Sequence, residues 1–182
     1  MTEKKSDFRV RRVVHGTGTD GRSTVLADRD APLRLETPAF TIVDIWRFDG
    51  LPTRISADDG LPDQIELTPP SGSAVFRMCS IAPDEEWAGR SYDESLAAIG
   101  HEAAEGNGEE TPPSEDGSHA TDTVDVVVVL SGEVYCVTDT HETLLKQGDV
   151  VVQTGNAHSW SNRSDEVCKV AFVMATGTRD AG

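Results

Sequence analysis

The sequence predicts an all-β protein with a single core, and three observations lead to this fold class. Short runs of β-branched and aromatic residues recur along the chain, and residues 39–48 and 124–130 are the clearest of them. Gly, Pro, Asp and Asn separate these runs at turn-like spacings. The length of 182 residues suits one domain with one buried core.

The N-terminal part, residues 1–83, contains four predicted strands. FRVRRVV at 8–14, STVLA at 23–27 and AFTIVDIWRF at 39–48 come first, and a further strand over 74–81 ends before Pro83. Between the first two strands lies Gly16-Thr-Gly18-Thr-Asp-Gly21, which matches the dinucleotide motif G-x-G-x-x-G letter for letter. No helix pattern follows the glycines, so we interpret them as a hairpin turn.

Residues 84–118 form an acidic insertion with 11 acidic residues and one arginine. Ser91-Tyr-Asp-Glu94 fits a capping box and predicts a short helix over 92–105. The remaining stretch, GNGEETPPSEDGS, has the composition of a loop. We expect the insertion to act as a mobile flap at the mouth of the barrel.

The C-terminal part, residues 119–182, reads as strands throughout. Its predicted strands are short and are joined by tight turns at Gly132, Gly148 and Gly155. This pattern is typical of an antiparallel sandwich or barrel. The predicted strands are 119–130, 133–138, 143–146, 150–153, 158–161 and 167–175.

Composition excludes several classes of partner. The chain has 32 acidic and 16 basic residues, for a formal net charge of −16, which disfavours nucleic acid and anionic membrane. The longest uninterrupted apolar run, 126–130, is far too short to span a bilayer. Cys79, Cys136 and Cys168 are widely spaced and odd in number, so they suggest no disulfide framework. With no secretory signal at the N-terminus, we expect a cytoplasmic protein.

Candidate functional residues lie on two predicted strands, where alternate positions share a face. His119, Thr121, Thr123 and Asp125 lie on one face, while valines occupy the other, so we expect a strand buried on both sides with a polar pocket near its start. On the second strand His158, Trp160 and Asn162 share a face. Two histidines and a carboxylate suit Fe, Mn, Ni or Zn. The alternative is that His158 and Asn162 satisfy backbone groups and His119 caps a loop.

The chain resembles the cupin superfamily over 125–132 and 148–162. Its first motif, G-x5-H-x-H-x3-4-E-x6-G, corresponds here to His119, Thr121, Asp125 and Gly132, so threonine replaces the second histidine and aspartate the glutamate. Its second motif, G-x5-P-x-G-x2-H-x3-N, corresponds to residues of the later stretch. These are Gly148, Gln153 in the proline position (with a spacing one residue shorter than the motif), Gly155, His158 and Asn162. The resemblance implies a cupin double-stranded β-helix, or jelly-roll barrel, with extra N-terminal strands.

The resemblance also implies a small-molecule enzyme that works inside the barrel. A divalent metal (Fe, Mn, Ni or Zn) on His119, Asp125 and His158 would support dioxygenase, decarboxylase, isomerase or dehydratase chemistry. Without metal, Asp125 and His158 remain an acid–base pair. Thr121 or Thr123 would orient the substrate. Further pocket residues would be Trp160, Asn162 and Cys136.

Two further expectations follow from the resemblance. The alternative function is a non-catalytic cupin that binds a small ligand with a degenerate metal site, which the missing motif histidine favours. We also expect a homodimer, because small cupins commonly add an N-terminal strand to the partner's sheet.

Overall fold

The computed structural model describes residues 7–89, 92–99 and 117–179. In these ranges the regular secondary structure is almost entirely β-strand, with one short helix, α1 (Tyr92–Ala97), and a 3₁₀ turn at Asp84–Glu86. The all-β prediction is therefore confirmed. The strands are β1 (Arg11–Thr17), β2 (Ser23–Asp30), β3 (Leu33–Glu36), β4 (Phe40–Phe48), β5 (Ala74–Ile81), β6 (Thr123–Ser131), β7 (Glu133–Val137), β8 (Glu142–Lys146), β9 (Val150–Thr154), β10 (Ser159–Ser161) and β11 (Cys168–Thr176).

Two antiparallel sheets enclose the core. The larger has the order β3-β4-β5-β11-β6-β9, and the smaller has the order β10-β7-β8. Val134, Cys136 and Leu145 of the smaller sheet belong to the same buried cluster as Val127 and Val170 of the larger one. Sheets that share one apolar interior in this way form a jelly-roll sandwich.

The N-terminal strands are part of the main sheet. Three of its six strands, β3, β4 and β5, come from the region before the insertion. Strand β5 pairs with β11 along its whole length, from Cys168 opposite Ile81 to Ala175 opposite Ala74. A boundary at residue 119 therefore does not separate the barrel from the strands that precede the insertion.

The glycine motif is a turn, as the sequence predicts. It connects β1 to β2, which form a separate two-stranded sheet. The amide of Gly18 donates to the carbonyl of Arg22, and Gly21 adopts a φ of 78°, a left-handed conformation that glycine takes without steric cost. No helix begins there, so the geometry of a dinucleotide site is missing.

Strand β6 differs from expectation on one of its faces. Thr123, Asp125 and Val127 point inward and are buried. The opposite face is open, with Val124 45% exposed and Val126 42% exposed. The expectation that β6 is buried on both sides was wrong, because the outer side of the large sheet is uncovered at this strand.

The acidic insertion begins with the 3₁₀ turn and α1. The helix is shorter than the predicted 92–105, and residues 100–116, on which much of the predicted flap falls, lie outside the described residues. Leu96 and Ile99, by contrast, are buried in the core cluster. None of the helices in the described ranges is long and apolar enough to cross a membrane.

Candidate functional site

A narrow cavity of about 70 Å³ lies inside the sandwich. Its wall combines a few polar side chains with many apolar ones, which is the usual composition of a small-molecule pocket. The polar members are Arg77, His119, Asp125 and His158. The apolar members are Phe40, Ile42, Leu67, Cys79, Ile81, Leu96, Ile99, Val127, Trp160, Val170, Phe172 and Met174.

His119 and His158 form a pair at the cavity wall. Their backbones make an isolated antiparallel bridge, in which each amide donates to the other's carbonyl at 3.0 Å. Directly opposite residues of such a bridge project to the same side. The two imidazole rings therefore lie together, with their centroids 4.7 Å apart. The bridge joins the segment before β6 to the segment before β10, so residues far apart in sequence meet here.

Backbone carbonyls hold both rings by Nδ1. His119 Nδ1 lies 3.1 Å from the carbonyl of Gly117, and His158 Nδ1 lies 3.0 Å from that of Asn156. A carbonyl only accepts, so each Nδ1 is the protonated nitrogen. Burial lowers the pKa of His158, although its Asn156 hydrogen bond and the Asp125 charge act in the opposite direction. We assign His158 as neutral, with the lone pair on Nε2.

Asp125 is the least satisfied polar group of the cavity. Its side chain is only 6% exposed, and Oδ1 has no hydrogen-bond partner among the described residues. Burial raises the pKa of Asp125, and this effect outweighs the lowering effects of a hydrogen bond from Thr123 and of the nearby His158 and Arg77. The hydroxyls of Thr123 and Thr121 lie 2.7 Å apart, so the carboxyl group, Thr123 and Thr121 are linked by consecutive hydrogen bonds.

Arg77 and Asp44 form a buried ion pair that the sequence analysis missed. Both side chains are 2% exposed, and Arg77 Nε lies 2.8 Å from Asp44 Oδ1. The guanidinium also donates to the carbonyls of Glu66 and Leu67. Burial raises the pKa of Asp44 despite the nearby arginine. Arg77 thereby places a fixed positive charge in the same cavity as Asp125.

Some residues predicted for the pocket lie elsewhere. Asn162 is fully buried, and its Nδ2 donates to the carbonyls of Ile81 and Glu166. It therefore satisfies backbone groups, which is the alternative to a pocket role given in the sequence analysis. Cys136 packs in the core and accepts a hydrogen bond from Gln153. Thr121 and Thr123 stand behind Asp125 rather than at the cavity wall. Trp160 does line the cavity, edge-on to His158.

His119, Asp125 and His158 are the residues that the sequence predicts as metal ligands. In the part of the chain that the structure describes, no three His, Cys, Asp or Glu side chains come close enough together to hold a metal ion. The two histidines are adjacent, but Asp125 does not complete a set of three with them. The metal centre on His119, Asp125 and His158 therefore remains a prediction.

Comparison with known proteins gives a family match and two curated relatives. Residues 107–174 match the family model described as "Cupin domain". Two proteins of Diaporthe leptostromiformis, named Phomopsin biosynthesis cluster protein C′ and Phomopsin biosynthesis cluster protein D, are each 48% identical over 54 residues. The match spans 29% of this chain and 29% of each relative.

Solved structures of low sequence identity resemble the chain. The Schizosaccharomyces pombe Cnp3 cupin domain aligns over 93% of this chain and 90% of its own, with 9% identity and a TM-score of 0.46. A putative ethanolamine utilization protein from Salmonella typhimurium aligns over 94% and 99%, with 10% identity and a TM-score of 0.42. Ectoine synthase from P. lautus aligns over 79% and 68%, with 9% identity and a TM-score of 0.43.

Proposed function

We propose that this chain, whose residues 107–174 match the family model described as "Cupin domain", binds a small molecule inside the barrel and transfers protons on it with Asp125 and His158. The observation that carries the proposal is Oδ1 of Asp125, which has no hydrogen-bond partner among the described residues and is buried beside a neutral histidine in a cavity with a mostly apolar wall. A buried polar atom without a partner costs about 1–3 kcal/mol, and a ligand that bonds to it recovers that cost.

The two groups suit opposite proton-transfer roles. Because the pKa of Asp125 is raised, its carboxyl group keeps a proton at higher pH than an ordinary aspartate and can donate it. Because the pKa of His158 is lowered, its Nε2 is available to accept a proton. Positioned acids and bases of this kind typically accelerate proton transfer by about 10²–10⁴-fold.

Isomerisation and dehydration are the reactions that match such a pair. His158 takes a proton from a C–H or O–H group of the substrate, and Asp125 delivers one to another atom of the same substrate. When that atom is a hydroxyl oxygen, water leaves, and exchange with solvent restores both groups. The names of the two curated relatives refer to a biosynthesis cluster, which supports a small-molecule substrate.

A non-catalytic ligand-binding role is the second candidate. It is favoured by the incomplete ligand set, because Thr121 occupies the position of the missing motif histidine and the described residues offer no three-ligand group. This role uses the same cavity and the same contacts to Asp125 and His158. It differs only in that no proton moves.

We also propose the homodimer that the family resemblance implies. The β1–β2 hairpin is a two-stranded sheet, and both Val25 and Leu26 on β2 are exposed, at 53% and 41%. Two-stranded hairpins are marginal when they stand alone. In the proposed dimer, this hairpin adds a strand to the sheet of a second copy, and that contact covers the exposed Val25 and Leu26.

Binding is tested with isobutanol, a short branched alcohol, followed by chemical-shift changes of the imidazole and methyl groups. We expect saturable binding with a Kd of about 1 mM, on the order of −4 kcal/mol, and at least tenfold weaker binding by His158→Gln and Asp125→Asn. Val152→Thr, on the outer face of β9, serves as the matched control and should bind like the wild type. Equal binding by all four proteins would contradict the proposed site.

Metal content separates the acid–base proposal from the metal prediction. Protein purified without a histidine tag is analysed for iron, manganese, nickel and zinc. Stoichiometric metal that disappears in both His119→Ala and His158→Ala would replace the acid–base proposal with a metal centre. Isobutanol binding that is unchanged by exhaustive chelation supports the metal-independent site.

A further inference from the structure

We propose that Leu96 and Ile99, at the end of α1 and just beyond it, set the upper size limit of the molecule that the cavity admits. This inference rests on the proposed ligand-binding function. It assigns a specificity role to α1 and the residues just beyond it, near the start of the acidic insertion. The ligand class that follows is a short, branched, largely aliphatic molecule that carries one hydroxyl or amine group.

The placement of the two side chains is the first step. Leu96 and Ile99 are each 2% exposed, and both line the cavity together with Asp125, His158 and Trp160. Positions three apart on a helical turn project to the same side. They therefore present one apolar surface to the cavity, while the exposed residues Glu94, Ala97 and Ala98 face away from it.

The packing of α1 is the second step. A helix of six residues is too short to be stable by itself, so contacts with the barrel must hold it. Two backbone groups of the barrel supply these contacts: the amide of Leu67 donates to the carbonyl of Ile99 at 2.8 Å, and the amide of Ala39 donates to Ser95 Oγ at 3.4 Å. Leu96 and Ile99 are thus fixed elements of the cavity wall.

The size of the cavity is the third step. At about 70 Å³ it has room for a few water molecules or one compact molecule. An apolar cavity that holds benzene, in the worked case of an engineered lysozyme, measures about 150 Å³. With Leu96 and Ile99 in place, a fused two-ring aromatic molecule is therefore too large for the cavity. Removal of most of either side chain opens space at the wall.

The polar end of the cavity defines the ligand's functional group. His158 Nε2 is an acceptor, and Asp125 Oδ1 is a buried atom without a partner. A hydroxyl or amine of the ligand can donate a hydrogen bond to His158 Nε2 and form a second hydrogen bond with Asp125 Oδ1. Apart from Arg77 and His119, the remaining wall residues are apolar, so most of the ligand should be hydrocarbon.

The test measures the binding of 1-naphthol and of isobutanol to the full-length protein by calorimetry. We expect the ratio of the 1-naphthol Kd to the isobutanol Kd to fall at least tenfold in Leu96→Ala and in Ile99→Ala. Leu145→Ala is the matched control, because Leu145 belongs to the same buried cluster but does not line the cavity. It should be destabilised without any change in that ratio.

Three outcomes would overturn or separate the proposals. An unchanged ratio in both cavity variants, with wild-type isobutanol binding intact, overturns the size limit alone. Absence of isobutanol binding in every protein, the wild type included, overturns the proposed function itself. If an alanine variant does not fold, Leu96→Val and Ile99→Val replace it, and an unchanged ratio in these milder variants also counts against the size limit.

Discussion

The two faces of β6 reverse the usual distribution of polar and apolar residues. The inner face carries Thr123 and Asp125, both more than nine-tenths buried. The outer face carries Val124 and Val126, both more than two-fifths exposed. The same nine-residue strand therefore places a carboxyl group in the interior and valines in solvent.

Neighbouring strands continue the contrast. On the inner side, Asp125 shares its cavity with Arg77 of β5. On the outer side, Val126 lies between Val152 of β9 and Val173 of β11, and both neighbours are also exposed. Burial of polar groups is costly unless they are bonded. The inner face therefore carries a cost that the proposed ligand would recover, whereas the outer face costs the isolated chain little.

The largest expected effect on this contrast comes from breaking the Arg77–Asp44 pair. Because both side chains are 2% exposed, removal of one partner leaves an uncompensated buried charge. We expect Asp44→Ala to lower the free energy of unfolding by about 3–5 kcal/mol. The measurement is urea unfolding followed by tryptophan fluorescence.

The double variant Asp44→Leu with Arg77→Met is the control for this prediction. Replacement of both charges by apolar side chains of similar size removes the unpaired group and should recover most of the lost stability. If Asp44→Ala and the double variant are equally unstable, shape rather than charge determines the cost.

A smaller effect is expected from the titration of Asp125 and His158. The folded-state pKa of Asp125 is raised, so the folded protein binds more protons than the unfolded chain above pH 3.8, and stability falls as the pH rises through the folded pKa. The folded-state pKa of His158 is lowered, so its contribution rises with pH up to about 6.5. Each pKa unit corresponds to about 1.4 kcal/mol.

Urea unfolding from pH 3 to pH 8 separates these two contributions. Relative to the wild type, Asp125→Asn should gain stability as the pH rises above about 3.8, the reference value for aspartate. His158→Gln should instead lose relative stability as the pH rises towards 6.5. If the difference in unfolding free energy from the wild type has the same pH dependence in both variants, folding does not shift the two pKa values in opposite directions, and the prediction is wrong.

Part of this site follows from strand alternation and part of it does not. Alternation correctly predicts that Thr123 and Asp125 share the inner face, because β6 is regular there. The same rule fails for Asn162, since β10 ends at Ser161 and the chain turns away from the cavity. A rule based on periodicity applies only as far as the strand extends.

The missed residues depend on contacts that are distant in sequence. Arg77 alternates with Val75 and Cys79 on the inward face of β5, and this signal was available in the sequence. Its partner Asp44 lies 33 residues earlier on another strand, and strand pairing alone brings the two together. Leu96 and Ile99 were predicted to be helical, but where α1 packs depends on tertiary contacts.

The smallest expected effect on stability comes from a substitution on the outer face of β6. The same substitution also tests whether this face takes part in self-association. Val126→Asp places a charge among exposed valines and should change the free energy of unfolding by no more than about 0.5 kcal/mol. Val25→Asp on β2 is the matched change on the exposed hairpin. Sedimentation velocity over a range of concentrations compares both variants with the wild type.

The proposed strand addition predicts which of these variants dissociates the dimer. Val25→Asp should weaken self-association at least tenfold, because the added charge lies on the strand that joins the partner's sheet, while Val126→Asp should weaken it less. The reverse order would mean that two copies meet through the valine face of β6, β9 and β11. That face would then be buried in the assembly, and the contrast between the two sides of β6 would hold only for the isolated chain.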